Sequence, residues 1–126
     1  IYETINFLIN KHNLNNHDIT LIGFSQGAIL SWAIGFNYPK FIRRIIALSG
    51  YINEELTTKN DITFKAFSSH GTVDPIIPVD WARNTIKKHI KKGCEDLIYN
   101  EYNVGHTLSE KNLIDFLNWI NKTSFK

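Results

Sequence analysis

The fold is decided by the stretch Ile19-Thr20-Leu21-Ile22-Gly23-Phe24-Ser25-Gln26-Gly27. A short apolar run, typical of a buried parallel strand, leads into a Gly-x-Ser-x-Gly pattern and then into a helix-like segment over residues 28–36. This is the context of a nucleophile elbow, in which a sharp turn exposes a serine hydroxyl at the end of a strand. Gly23 and Gly27 fit such a turn because a side chain at either position would clash where the two backbones meet. Ser25 is therefore predicted to be a nucleophile, against the common alternative of a helix N-cap serine.

Apolar segments and helical periodicity alternate along the whole chain. After an amphipathic helix at the start, strands are predicted at residues 19–24, 45–48, 64–69 and 97–102, and further helices at 28–36, 79–92 and 109–121. This alternation predicts an α/β fold with a parallel sheet that is covered by helices on both faces. With 126 residues, 43% of them apolar, residues 1–126 are expected to form a single domain.

Helical spacing predicts which side chains face the sheet. These side chains are Ile1, Ile5, Leu8 and Ile9 in the first helix, Ala28, Ile29, Trp32, Ala33 and Phe36 in the second, Val79, Ala82, Ile86 and Ile90 in the third, and Leu113, Leu117 and Ile120 in the last. Trp81 and Trp119, which also lie on predicted helices, are expected to join Trp32 in the core.

Composition argues against several classes of function. The net charge of +2 is mild, and the basic cluster at residues 87–92 is typical of a solvated helix face, so no nucleic-acid partner is predicted. No apolar run is long enough for a membrane span. No histidine pair has metal-binding spacing with a supporting carboxylate, so no metal is predicted. The lone Cys94 cannot form an internal disulfide, which favours a reducing compartment.

Two later loops supply partners for Ser25. Asp74 follows the third predicted strand, and His106 follows the fourth. Because the carboxyl ends of parallel strands gather at one edge of a sheet, we expect the three side chains to meet there. Their order along the chain, Ser, then Asp, then His, is that of the α/β-hydrolase triad.

The chemistry of acyl transfer explains why these residue types are needed together. A serine hydroxyl is a poor nucleophile until an imidazole takes its proton, so His106 is predicted to act as general base and then as general acid. Asp74 is predicted to orient the imidazole and to stabilise its positive charge. The backbone N–H of Gln26, at the start of the helix, is predicted to donate to the oxyanion of the tetrahedral intermediate.

Other acids and another histidine compete for these roles. Asp80 is expected in a first helical turn, where a carboxylate simply favours the helix dipole. Asp96 precedes its strand instead of following it. His70 ends a strand near the expected site, but it comes before Asp74 in the chain, so it is interpreted as a structural histidine that bonds to backbone.

Three blocks together carry a family resemblance, and they read Gly23-Phe24-Ser25-Gln26-Gly27-Ala28, His70-Gly71-Thr72-Val73-Asp74-Pro75-Ile76-Ile77-Pro78 and Val104-Gly105-His106. They resemble the signature blocks of the phospholipase/carboxylesterase family, which includes acyl-protein thioesterases, and Leu48-Ser49-Gly50-Tyr51 is similar to a further segment of that family. The resemblance implies a cytoplasmic serine esterase that acts on carboxylic esters or thioesters and needs no metal or organic cofactor.

The same resemblance implies that part of the fold lies before this sequence. Members of this fold carry further strands ahead of the elbow, and the loop after one of them donates a second oxyanion-hole N–H. The chain is therefore expected to be the C-terminal portion of an α/β-hydrolase domain, with an unpaired, aggregation-prone edge along residues 19–24.

The substrate pocket is less defined by the sequence. Tyr51, Ile76, Ile77 and Leu108 are close in sequence to the predicted site and either line an acyl-binding groove or cap the core. Two other functions stay open: a truncated, non-catalytic module of this fold, and a peptidase or lactonase with the same order of triad residues. Oligomeric state, leaving group and acyl length are not encoded in any pattern that we identify.

Overall fold

A computed structural model describes residues 1–14, 19–57, 62–91 and 96–124 of the chain. Within these ranges helices and strands follow in the order α1 (Tyr2–His12), β1 (Ile19–Phe24), α2 (Gln26–Asn37), β2 (Ile42–Leu48), β3 (Lys65–Gly71), α3 (Val79–Lys91), β4 (Leu97–Tyr102) and α4 (Glu110–Thr123). The predicted α/β class is confirmed. Cys94 lies outside the described residues, as do residues 58–61 of the segment between β2 and β3.

The four strands are parallel and lie side by side in chain order, β1-β2-β3-β4. Their register pairs Phe24 with Leu48, Leu48 with Ser69, and Gly71 with Tyr102. Because all strands run in the same direction, the segments that follow β1, β3 and β4 leave the sheet at the same edge. The sheet thus brings residues from distant parts of the sequence to its carboxyl edge.

Apolar side chains cover both faces of the sheet. On one face, α1, α2 and α3 pack against the strands through a buried cluster that includes Trp32, Phe36, Ile45 and Ile86. On the other face, α4 packs through Phe116 and Trp119 against a smaller cluster, which is made by Ile46, Leu48 and Phe67. Helices therefore lie on both faces, as predicted.

The buried stripe of α4 differs from the predicted one. Leu113 and Leu117 are 45% and 46% exposed, whereas Phe116 and Trp119 are buried together with Asn112. The apolar side chains of this segment cover more than half of the helix circumference, so periodicity alone does not select one stripe. The large rings fill the space over Phe67, with the Phe67 and Trp119 centroids 6.0 Å apart, and this packing decides the orientation.

Three further burial predictions on α1 and α3 are wrong. Ile1 is the N-cap residue of α1, ahead of the first helical turn, and its side chain is exposed. Leu8 is adjacent to the buried stripe of Ile5 and Ile9 but is not part of it, so it is exposed as well. Ile90, in the last turn of α3, is also exposed, whereas Ala82 and Ile86 are fully buried.

Trp81 is not a core residue. It lies one position before the buried Ala82, about 100° around the helix from the buried stripe, and is 49% exposed. Its indole instead packs edge-on against the ring of Tyr51, with centroids 5.4 Å apart. The two rings form an aromatic pair beside the carboxyl edge of β2.

One edge of the sheet is apolar. Within the described residues β1 is an edge strand, and the side chains of Ile22 and Phe24 on it are 58% and 42% exposed. Leu30 of α2 is exposed as well. The expected unpaired edge along residues 19–24 is thus found. Among the described helices, none has the length and hydrophobicity needed to cross a membrane.

Candidate active site

Ser25 lies in the sharp turn between β1 and α2. Its backbone has φ 59° and ψ −117°, a conformation that residues with a Cβ rarely adopt. The turn is held from both sides, because the Ser25 N–H donates to the carbonyl of Leu48 at 2.9 Å and the Ser25 carbonyl accepts the N–H of Ala28 at 3.0 Å. This geometry is that of the predicted elbow.

Close backbone packing at the elbow requires glycine at two positions. A Cβ on Gly23 would lie 2.1 Å from the carbonyl oxygen of Gly27, as the sequence predicts. The prediction is wrong for Gly27, where a Cβ would meet no atom within 4 Å. The second tight position is Gly50, after β2, where a Cβ would lie 2.6 Å from the Cβ of Ala28.

Asp74 is buried in the turn after β3. One carboxylate oxygen, Oδ1, accepts the backbone N–H groups of Ile76 and Ile77 at 2.8 and 2.9 Å. The other oxygen, Oδ2, lies 2.7 Å from Nδ1 of His106. The turn therefore holds the carboxylate so that Oδ2 faces the imidazole.

The electrostatics of Asp74 keep it ionised. Burial favours the protonated acid, but the hydrogen bonds from His106, Ile77 and Ile76 favour the carboxylate and prevail, so the pKa of Asp74 lies below its usual value. A charged acceptor at this position favours a proton on Nδ1 of His106.

His106 connects the other two side chains. Since the carboxylate only accepts, Nδ1 carries the hydrogen, and Nε2 is left to accept the Ser25 hydroxyl, whose oxygen lies 2.9 Å away. The ring of Phe24 packs against the imidazole with centroids 5.0 Å apart. The three predicted triad residues thus form one continuous hydrogen-bonded line.

Backbone contacts fix the loops that carry Asp74 and His106 to each other. Val73 N–H donates to the carbonyl of Val104 at 3.2 Å. A Cβ on Gly71 would lie 2.2 Å from the carbonyl oxygen of Gly105, so only glycine allows this approach. The pairing of the two loops sets the distance between carboxylate and imidazole.

Gln26 is the first residue of α2. The N–H groups of a first helical turn have no acceptor within the helix, so such a group is suited to bind an oxyanion. The N–H of Gln26 thus lies at the helix start directly after Ser25, and its role as an oxyanion donor stays a prediction.

The alternative candidates for the acid and the base either lie away from Ser25 or bond to the backbone. Asp80 is in the first turn of α3, 3.4 Å from the guanidinium of Arg83. Asp96 precedes β4, and its carbonyl accepts the N–H of Ala66. His70 is buried and its Nε2 lies 2.7 Å from the carbonyl oxygen of Ile77, which confirms its interpretation as a histidine that bonds to backbone.

The four predicted pocket residues do not share one environment. Ile76 is among the most exposed apolar residues, and Tyr51 is half-buried against Trp81. Ile77 is buried, and Leu108 packs on the Phe67 and Trp119 side of the sheet, as expected of residues that cap the core. Within the described ranges no three His, Cys, Asp or Glu residues are grouped to hold a metal ion.

Two residues of the site were missed in the sequence. Phe24 occupies the variable position before the nucleophile, where its contact with His106 has no local signal. Gly50 comes two residues after the predicted strand 45–48, and a glycine close to the end of a buried strand is itself a signal of close backbone approach.

Known proteins of one family match the sequence of this chain. The sequence profile of the phospholipase/carboxylesterase family matches residues 1–124. Acyl-protein thioesterase 1 of Debaryomyces hansenii is 35% identical, with 94% of this chain and 55% of that protein covered. Acyl-protein thioesterase 1 of Candida albicans is 34% identical, with 88% and 52% covered. The chain thus spans about half the length of these curated relatives.

Solved structures match over nearly the whole chain. The crystal structure of esterase PE8 superposes with a TM-score of 0.84 at 26% identity, covering 97% of this chain and 58% of that one. The Bacillus cereus carboxylesterase superposes with a TM-score of 0.83 at 18% identity, covering 95% and 57%, and at this identity it bears on the fold alone.

Proposed function

The chain belongs to the phospholipase/carboxylesterase family, and we propose that it carries the catalytic triad of a serine hydrolase that cleaves carboxylic esters or thioesters. In this proposal Ser25 is the nucleophile, His106 the general base and acid, and Asp74 the residue that orients His106. The observation that carries it is the line of hydrogen bonds from Ser25 Oγ through His106 to Asp74 Oδ2, at 2.9 and 2.7 Å.

The first half of the reaction forms an acyl-enzyme. Nε2 of His106 takes the Ser25 proton while Oγ attacks the substrate carbonyl, which becomes a tetrahedral oxyanion. The N–H of Gln26 donates to this oxyanion. As the intermediate collapses, the bond to the alcohol or thiol breaks, and the leaving group takes the proton from His106.

The second half releases the acid. A water molecule gives its proton to Nε2 of His106 and attacks the acyl carbonyl, and collapse of the second intermediate returns the proton to Ser25 Oγ. These steps use protein groups and water, so the proposal calls for no cofactor.

For substrate binding we propose two apolar groups beside the site, the exposed Ile76 and the half-buried Tyr51. Ile76 lies two residues after Asp74, and the ring of Tyr51 is backed by Trp81 at the carboxyl edge of β2. These groups suit the acyl part of an ester or thioester. The related proteins named acyl-protein thioesterase 1 favour a thioester. A cytoplasmic location stays a prediction, which rests on the lone Cys94 and the family resemblance.

The test of the proposal is covalent labelling by a fluorophosphonate probe. We expect the protein to be labelled, and Ser25→Ala to abolish labelling. Ser31→Ala is the matched control, because its hydroxyl, which donates to the Gly27 carbonyl on the same helix, lies outside the proposed triad. Labelling that survives Ser25→Ala would refute the assignment, and a folded protein without labelling would favour a non-catalytic module.

Substrate comparison separates hydrolases with the same triad. Initial rates are measured with an acyl thioester, p-nitrophenyl butyrate and an aminoacyl amide. We expect both activated acyl compounds to be cleaved faster than the amide. Faster amide cleavage would instead identify a peptidase.

A further inference from the structure

A second histidine, His70, is buried next to Asp74 and has no part in the proposed mechanism. Its side chain is 1% exposed at the end of β3. Its Nε2 lies 2.7 Å from the carbonyl oxygen of Ile77 and 3.4 Å from Oδ2 of Asp74. Since a carbonyl oxygen only accepts, Nε2 carries a hydrogen and donates it to the carbonyl oxygen of Ile77.

Ile77 links His70 to the triad acid. Its N–H donates to Oδ1 of Asp74 at 2.9 Å, while its carbonyl accepts from His70. The neighbouring N–H of Ile76 binds the same oxygen. His70 therefore fixes Ile77, and Ile77 in turn fixes Oδ1 of the Asp74 carboxylate. The other carboxylate oxygen, Oδ2, faces His106.

We infer that His70 is a positioning residue for the triad: its Nε2–H fixes the Asp74–Ile77 turn on β3, and the turn directs Oδ2 of Asp74 at His106. This inference rests on the proposed function. An unanchored turn would let the carboxylate shift, and a displacement of about 1 Å in a catalytic group can cost about 100-fold in rate. A histidine that merely fills space in the core would have no such effect.

Two polar substitutions distinguish these roles. Glutamine carries an N–H donor at the same bond separation from Cβ as Nε2 of histidine, whereas the asparagine donor is one bond closer to the backbone. We therefore expect His70→Gln to retain the bond to the Ile77 carbonyl and to keep kcat within about threefold. For His70→Asn we expect kcat per labelled site to fall about 10–100-fold, with KM changed less than about twofold.

The pH profile gives a readout that loss of stability would not move. In His70→Asn the misplaced carboxylate stabilises protonated His106 less well, so the acid limb of kcat/KM shifts to lower pH. The control is Phe67→Leu, which loosens the packing of β3 against α4 but leaves the turn untouched. It is expected to lower the melting temperature, with kcat per labelled site and pH profile unchanged.

Several outcomes would overturn the inference. Equal losses of kcat in His70→Gln and His70→Asn would exclude the donor role. The same conclusion would follow if both variants kept the kcat per labelled site and the pH profile of the unmodified protein. The amide proton shifts of Ile76 and Ile77 report on the turn without catalysis, and they must move in His70→Asn but not in His70→Gln. Absence of fluorophosphonate labelling in the unmodified protein would instead remove the proposed function, and the amide shifts would still show whether His70 holds the turn.

Discussion

Ser25, the proposed nucleophile, has a strained backbone. Its φ of 59° places it in the region that favours glycine, and strain of this kind costs on the order of 1–3 kcal/mol. The elbow keeps the strained residue in place with hydrogen bonds to Leu48 and Ala28. Ser49, at the end of β2, shares the positive φ, so two neighbouring loops store strain at the same edge.

This strain predicts different effects for two substitutions that both remove the hydroxyl. We expect Ser25→Gly to melt about 3–5 °C higher than Ser25→Ala, because glycine relieves about 1–3 kcal/mol of strain and loses only about 0.5–1 kcal/mol through its more flexible unfolded state. Differential scanning calorimetry of both variants provides the measurement. A lower melting temperature for the glycine variant would mean that the turn is unstrained.

At the scale of elements, α4 offers the sharpest stability test. Phe116 is buried against Phe67, with ring centroids 6.5 Å apart, whereas Leu113 on the neighbouring stripe is 45% exposed. We expect Phe116→Ala to lower the free energy of unfolding by about 3–5 kcal/mol and Leu113→Ala to change it by about 0.5 kcal/mol or less. Urea denaturation monitored by circular dichroism measures both, and comparable losses would contradict the observed orientation of the helix.

The sequence predicts which helices and strands are present better than it predicts which side of a helix is buried or where a strand begins. β2 begins at Ile42 and not at the predicted residue 45, because Arg43 and Arg44 interrupt the apolar run. Their guanidinium groups reach the end of α4, where Arg44 donates to the Ile120 carbonyl at 3.0 Å. Such a partner is distant in the chain, so no local pattern can reveal it.

The three residues of the proposed triad are also distant in the chain, but each of them can be placed from its position after a strand. Each of Ser25, Asp74 and His106 directly follows a strand or its exit turn, and a parallel sheet fixes where those turns lie. The pocket was not accessible, because exposure of Ile76 and burial of Ile77 depend on how one turn folds over the sheet edge. Neighbouring residues in such a turn have the same sequence signal and opposite environments.

At the scale of the whole molecule, a partly exposed ion pair between α3 and β4 links stability to pH. Glu101 on β4 accepts two hydrogen bonds from Arg83 of α3, at 2.7 and 2.8 Å, and a third from Tyr99. The bonds from Arg83 are the main reason that the pKa of Glu101 falls from 4.5 to about 2. Because the folded pKa lies below the unfolded one, this stabilisation is complete above about pH 5 and is lost as the pH falls toward 2.

We therefore expect Glu101→Gln to lower the free energy of unfolding by about 1–2 kcal/mol at pH 7, since charge-assisted hydrogen bonds are replaced by neutral ones. The difference from the unmodified protein should shrink as the pH falls from 5 to about 3, where the carboxylate of the unfolded chain is protonated. Thermal melts across this range give the result, with Glu55→Gln, an exposed position outside the helices, as control. A difference independent of pH would show that the ion pair contributes only packing.

The hydrogen bond between Ser25 and His106 joins residues 81 positions apart in the sequence, and it spans the sheet from the end of β1 to the loop after β4. It forms only when all four strands have taken their places. In the proposed function this bond also activates the serine, so capture of a fluorophosphonate during refolding would time the last step of assembly. The site can thereby serve as a kinetic probe for the folding of the chain.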